Sequence, residues 1–244
     1  MGGQISPRLI KRAASAAIMI PLSLLLMATK TGFLALVTFA FVLCLFEWAG
    51  MVRAAPRRKV QIALVGLIYL PVCFLSFIAL RFMPDGLFIV IALLVSVWLS
   101  DTGAYVIGKS VGGPKWVPSI SPNKTWAGVG GAMLFPAAAF LIFWAVCGIL
   151  FSVPDRVTSG MLMAVGHDPV VSYISPFMVI LGALLFAILG FVCQIGDLFI
   201  SVFKRRAGVK DTGNLIPGHG GLLDRIDALM LAAVFVFVFF RLLG

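Results

Sequence analysis

Stretches of about 20 residues almost free of charge recur along this chain, and polar residues collect between them. A helix needs about 20 apolar residues to cross the hydrocarbon of a bilayer, so each stretch predicts a spanning helix. Seven are predicted, near 10–28, 32–52, 60–82, 87–107, 128–150, 173–200 and 226–243. The expected fold class is all-α: a polytopic integral membrane bundle of about seven transmembrane helices, N-terminus in and C-terminus out. The first run, Ala13 to Met27 behind Arg8, Lys11 and Arg12, has the outline of a signal peptide. It lacks a small-x-small cleavage site and further spans follow at once, so it is read as a span. Turn residues punctuate the helix ends: "MPDG" after the third span, "SVPDR" and "GHDP" in an external loop near 151–172. His167 and Asp168 in that loop read as an exposed turn rather than a metal site.

Composition agrees with this reading. Hydrophobic residues make up 61% of the 244 and charged ones 11%, against roughly 45–50% and 25% in an ordinary soluble domain. One water-facing globule cannot hide that much apolar surface. The four cysteines, Cys44, Cys73, Cys147 and Cys193, sit singly in apolar runs without metal or disulfide spacing and read as packed thiols.

A net charge of +10 invites a nucleic-acid reading, but its distribution argues against one. With the N-terminus inside, 15 of the 19 basic residues fall on the inner side and 4 (Lys30, Arg81, Arg156, Arg241) on the outer. This is the positive-inside bias of a membrane protein. The location expected is the inner cell membrane, multi-pass, with the active site facing the cytoplasm and no nucleic-acid partner.

No repeat or linker divides the chain, so residues 1–244 read as one membrane domain. Within it, 1–94 have the character of scaffold spans. Residues 95–244 are the expected catalytic part, for the motifs given below, and their cytoplasmic loops 108–127 and 201–225 are rich in Gly, Pro, Lys and Asp. Function tends to sit on such loops when a rigid scaffold holds them.

The acidic residues number only nine. Asp85, Asp155 and Asp168 fall in external turns. Glu47, toward the cytoplasmic end of the second span, reads as a snorkelling or interhelical contact. Asp101, Asp197, Asp224 and Asp227 lie in or at the cytoplasmic ends of the fourth, sixth and seventh spans. A charge at mid-helix costs about 2.5–3.5 kcal/mol on insertion scales, which makes such groups functional candidates. The bland alternative is an ion pair between helices, such as Asp224 with Arg205. Four acids gathered on one side favour function.

Helical spacing sharpens the picture. Gln194, Asp197, Ser201 and Lys204 share one face if the sixth helix continues past 200. Asp224 and Asp227 are i, i+3 neighbours; Asp101 and Tyr105 are i, i+4 neighbours. Between these elements, "AGVKDTGNLIPGHGG" carries Gly208, Gly213, Gly218, Gly220 and Gly221, whose backbone can approach an anion closely. The loop then enters a helix N-terminus, which favours phosphate. Carboxylates beside Lys204, Arg205 and Lys210 would repel a phosphate unless a divalent cation lay between. Asp197 and Asp224 therefore suggest Mg²⁺ bridging to phosphate oxygens.

These residues resemble a known signature. Ser201, Lys204-Arg205, Lys210-Asp211, Gly213, Ile216-Pro217, His219-Gly220-Gly221, Asp224-Arg225 and Asp227 match the phosphatidate cytidylyltransferase pattern S-x-x-K-R-x4-K-D-x-G-x2-L/I-P-x-H-G-G-x2-D-R-x-D without a gap. "SDTGAYVIGKSVGG" at 100–113 and "SPNKTWAG" at 121–128 are similar to two further family segments in the same order. The family often has Glu where Ile200 stands, Lys at Asn123, and Glu or Gln at Ala127; no ligand role is carried onto Ile200 or Ala127.

The resemblance implies synthesis of CDP-diacylglycerol and pyrophosphate from CTP and phosphatidic acid of the inner leaflet, using Mg²⁺ with room for a second cation. It implies Asp197 and Asp224 as metal carboxylates, with Asp227 and Asp211 as supporting or second-metal groups. Lys204, Arg205 and Lys210 are the expected phosphate clamps, and Ser201 the hydrogen-bond donor. His219 is expected in ligand hydrogen bonding or loop structure, or as a base. Gly220, Gly221, Arg225, Asp101 and Lys124 are expected at the substrate, the last beside Trp126. Membrane lipids surround the chain, and a homodimer is compatible with it. The rival classes are a CTP-dependent lipid kinase of polyprenol or phytol type, and a transporter. The transporter is disfavoured because no inverted repeat is visible and the polar groups crowd one surface.

Overall fold

In hydrocarbon every backbone N–H must find its acceptor within its own segment, so long apolar runs become long helices. The computed structural model, which describes residues 21, 23–151, 176–213, 215 and 220–243, follows this rule. Its elements are α1 (Lys30–Ala54), α2 (Lys59–Phe82), α3 (Gly86–Ser110), β1 (Lys115–Val117), β2 (Ser121–Thr125), α4 (Trp126–Phe151), α5 (Pro176–Arg206) and α6 (Leu223–Leu243). The helices correspond to the second through seventh predicted spans. Of the first, 10–28, only residues 21 and 23–28 are described, and they are helical. The external loop with His167 and Asp168 lies outside the described residues.

Five helices, α1 to α5, are long and apolar enough to cross a membrane, α4 counted over Trp126–Cys147. The sixth carries Asp224, Arg225, Asp227 and Arg241 along its 21 residues. Large apolar side chains such as Phe39, Phe46, Leu67, Trp98 and Ile180 point outward, each more than half exposed. A water-soluble bundle would bury that belt; a bilayer covers it. The fold is a helical membrane bundle.

It is not purely helical. β1 and β2 form a small antiparallel hairpin with Lys115 opposite Thr125 and Val117 opposite Ser121. Pro114, Pro118 and Pro122 keep this loop out of helix, and Trp126 N–H closes it on Pro114 O at 3.1 Å. The helix α5 runs on to Arg206, so Gln194, Asp197, Ser201 and Lys204 do share a continuous helix.

Small residues let the helices approach. A Cβ on Gly103 of α3 would collide with Gly131 O of α4, and the reverse holds at Gly131. On α5, a Cβ at Gly196 would lie 2.8 Å from Asp227 O of α6. The buried core gathers Phe33, Trp48 and Met51 of α1 with Ile62 and Leu70 of α2, Val90 of α3 and Ile200 of α5. Trp48 Nε1 donates to Ile62 O at 2.9 Å, tying α1 to α2. These contacts bring the ends of α1, α3 and α5 together with the starts of α4 and α6.

Candidate active site

The carboxylates predicted from separate spans line one cavity at that shared end. It has a volume of about 710 Å³, and its walls include Asp101 and Tyr105 of α3, Lys124 of β2, Gln194 and Asp197 of α5, and Asp224 and Asp227 of α6. A pocket of this size suits a small organic ligand.

On one wall, hydrogen bonds hold Asp197. Lys124 Nζ lies 2.7 Å from Asp197 Oδ2 and donates to Gln194 Oε1 at 2.8 Å. Ser201 donates to Asp197 Oδ1 at 3.2 Å. Gln194 is itself buried; its Nε2 reaches Ser100 Oγ at 3.4 Å, and Ser100 donates to Gly190 O at 3.0 Å. The hairpin thus delivers an ammonium to a carboxylate on another helix, and a buried amide fixes the angle between them.

A second network orders the glycine-rich loop. Lys204 Nζ pairs with Asp224 Oδ1 at 2.8 Å. The other oxygen, Asp224 Oδ2, accepts from Thr212 N at 2.9 Å and Gly221 N at 3.3 Å. Arg205, the partner suggested for Asp224 by sequence, instead donates from Nε to Ile120 O at 3.2 Å. Asp227 is buried, with Oδ1 accepting from Ala228 N at 2.8 Å. It lines the same cavity as Asp197. Carboxylates gathered in one cavity repel unless protons or cations lie between them.

Of the two expectations for Glu47, the structure shows the interhelical contact and not snorkelling: the side chain is 4% exposed and anchors the loop and the start of α6. Oε1 accepts from Leu222 N at 2.8 Å, and Oε2 from Leu223 N at 2.8 Å. Thr212 Oγ1 stands 3.1 Å from Glu47 Oε2 and 3.0 Å from Asp224 Oδ2, one hydroxyl between two carboxylates. The first N–H groups of a helix have no intrahelical acceptor and carry partial positive charge. For α6 a carboxylate from α1 supplies the acceptor, over a separation of 175 and 176 residues. At Gly213 a Cβ would lie 3.0 Å from Glu47 Oε1, and at Gly221 it would collide with Thr212 Oγ1 and stand 2.9 Å from Glu47 Oε1. Glycines pressed against an unexplained acid were the available signal in the sequence, and it is weak.

The remaining expected residues are distributed as follows. Ser201 is buried on the Asp197 side of α5, and Gly221 donates to Asp224. Gly220 adopts φ 86°, and a Cβ there would stand 3.6 Å from Asp224 Oδ2. Lys210, Asp211 and Arg225 are exposed. Lys204, Arg205 and Lys210 are not on the cavity wall; the lysines that line it are Lys109, Lys115 and Lys124. His219 lies outside the described residues.

The helices enclose a polar cavity of carboxylates and lysines, which defines a helical membrane protein with a site suited to charged groups. The chain matches the cytidylyltransferase family over residues 54–243 and belongs to it. Similar proteins include phosphatidate cytidylyltransferases of Brucella melitensis, 41% identical over 157 residues (64% of this chain, 48% of that protein), and of Rickettsia bellii, 33% identical over 196 residues (79% and 73%). That of Bacillus subtilis is 35% identical over 171 residues (70% and 54%). The chain spans about half the length of the Brucella relatives it matches. Glu47 falls outside the family match.

Proposed function

We propose that this chain transfers the cytidylyl group of CTP to phosphatidic acid, giving CDP-diacylglycerol and pyrophosphate. The observation that carries the reading is the single cavity in which Asp101, Asp197, Asp224 and Asp227 meet lysines, in a member of the cytidylyltransferase family. The relatives' shared name, phosphatidate cytidylyltransferase, supports the choice of substrates.

A phosphatidate oxygen forms a bond to the α-phosphorus of CTP. The bond from that phosphorus to the β-bridging oxygen breaks, and pyrophosphate leaves with the electron pair. The second pKa of a phosphate monoester is near ~6, so the nucleophile is mostly ionised at neutral pH and needs no strong base. Repulsion between two anions is the main barrier, and preorganised cations lower it. Lys124 supplies one such charge, its orientation set by Gln194 and Asp197.

Among the described residues no three acidic, histidine or cysteine side chains converge on one point to form a closed metal cage. Mg²⁺ does not need one: it binds through one or two carboxylates and takes its other ligands from waters and substrate phosphates. The carboxylates of Asp101, Asp197, Asp224 and Asp227, hard oxygen donors lining one cavity, fit that mode. Asp197 and Asp224 would hold the ion, with Asp227 in support. When bound, it would neutralise charge between carboxylates and phosphates.

The polar end carries Arg53, Arg57, Arg58, Lys59, Lys109, Lys115, Lys124 and Lys204–Arg206. By the positive-inside rule this end faces the cytoplasm, with seven spans, N-in and C-out, in the inner membrane. Phosphatidic acid then enters from the inner leaflet.

Purified protein incubated with phosphatidic acid, Mg²⁺ and CTP labelled in the cytidine decides the matter. Label in the lipid fraction is expected. Phosphate transfer to a lipid alcohol without cytidine would show a kinase, and no conversion at all would sink the proposal.

A further inference from the structure

The proposed reaction brings two phosphate-bearing molecules into one cavity. On the wall of carboxylates both lysine contacts are already made: Lys124 with Asp197, and Lys204 with Asp224. The cavity has a second, basic side. Lys109 and Lys115 line it, both exposed, and neither forms an ion pair with a carboxylate among the described residues. Lys109 Nζ has a neutral partner, donating to Tyr105 Oη at 3.4 Å and lying 5.6 Å from the centre of that ring. That contact leaves the Lys109 ammonium without a carboxylate partner among the described residues. The Lys115 ammonium has no hydrogen-bond partner among the described residues, its backbone being paired in the hairpin.

The backbone between the two lysines is shaped for close approach. Gly112 and Gly113 both line the cavity and adopt φ of 67° and 92°, a region that side chains disfavour. A Cβ at either would meet nothing within 4 Å, so this stretch of main chain is bare toward open space. The segment is held at both ends. Gly112 N–H closes α3 on Gly108 O at 3.2 Å, and Trp126 N–H holds Pro114 O at 3.1 Å. The hairpin register sets Lys115 opposite Thr125, next to Lys124. Two uncompensated cations flanking exposed glycine backbone on a fixed turn are the chemistry of phosphate binding.

We propose that Lys109 and Lys115, with the Gly112–Gly113 turn, form a phosphate-binding subsite within the cavity they line. It rests on the functional reading above only for the identity of its ligand, either the triphosphate of the nucleotide or the phosphate of the lipid. The carboxylate wall, with its own cation, serves the other.

The test uses full-length protein in nanodiscs of neutral lipid, comparing wild type, K109Q, K115Q, the double variant, and K109R/K115R. Losing one charged phosphate contact is expected to raise the KM of one substrate about tenfold, and losing both about a hundredfold. The arginine variant should retain most of the affinity. A rise confined to CTP assigns the subsite to the triphosphate; a rise confined to phosphatidic acid assigns it to the lipid phosphate. Titration with inorganic pyrophosphate and with a short-chain phosphatidate reads the subsite without turnover. Binding of either that weakens in K109Q/K115Q supports the subsite even if no CDP-diacylglycerol is made. Unchanged KM values and unchanged binding of both anions in the double variant overturn it.

Discussion

Lys124 Nζ sits 2.7 Å from Asp197 Oδ2, an ion pair between a β-hairpin and the longest described helix. The side chains are 17% and 34% exposed, so the pair is partly shielded. Its value lies in position: it holds a cation and a carboxylate at a set distance on the wall of the cavity.

Because the two act as one unit, their substitutions will not add. D197N is expected to lower kcat about a hundredfold or more, and K124Q about tenfold. The double variant should fall close to D197N alone, with a coupling of about 0.5–3 kcal/mol. Initial rates of CDP-diacylglycerol formation across the four proteins measure this. Fully additive losses would show that the two side chains work independently.

Removing the Glu47 carboxylate leaves the N–H groups of Leu222 and Leu223 without their acceptor, while the Thr212 hydroxyl keeps Asp224 Oδ2. Each orphaned buried donor costs about 1–3 kcal/mol. E47A is expected to lower Tm by several degrees and to cut activity by disordering the loop that holds Asp224 through Thr212 and Gly221. E47Q, which keeps one carbonyl acceptor, should fall between. Thermal unfolding in detergent, read alongside turnover, checks the order wild type, E47Q, E47A.

The proposed dependence on divalent cation is testable at Asp224. Chelation should abolish turnover and added Mg²⁺ restore it. D224N should raise the Mg²⁺ needed for half-maximal rate by about tenfold, because one charged ligand is lost. A D224N enzyme with an unchanged Mg²⁺ requirement would remove Asp224 from the metal site.

Gly196 sets the distance between α5 and α6 beside the main chain of Asp227 and Ala228. A Cβ there meets Asp227 O at 2.8 Å and Ala228 Cα at 3.2 Å, both main-chain atoms that cannot swing aside. G196A is expected to cost about 1–3 kcal/mol by overpacking and to depress activity. G196L should give little folded protein. Yield and melting temperature of the two variants, against wild type, measure the effect.

Much of the molecule was legible along the chain. Hydrophobic length alone predicts α1 to α6, since a bilayer requires long apolar helices. The helical repeat places Gln194, Asp197, Ser201 and Lys204 on one face, and α5 does continue through all four. The scarcity of acids makes Asp101, Asp197, Asp224 and Asp227 conspicuous, and all four line one cavity. These inferences succeed because they depend on near neighbours in sequence or on the uniform demand of a hydrocarbon solvent.

Partner choice was not legible. Nothing local distinguishes Arg205 from Lys204 as the mate of Asp224, or singles out Lys124 for Asp197. Nor does any local pattern send Glu47 to the amides of Leu222 and Leu223. The hairpin at 115–125 was likewise read only as a loop. Such pairings join residues 20 to 176 positions apart. They depend on which helix packs beside which, and on glycine contacts that let backbones close. The sequence by itself determined the long apolar helices and the stock of reactive groups. Only the tertiary structure decided which charges neutralise one another and which, such as Lys109 and Lys115, remain available, because electrostatic pairing follows distance in space and not order along the chain.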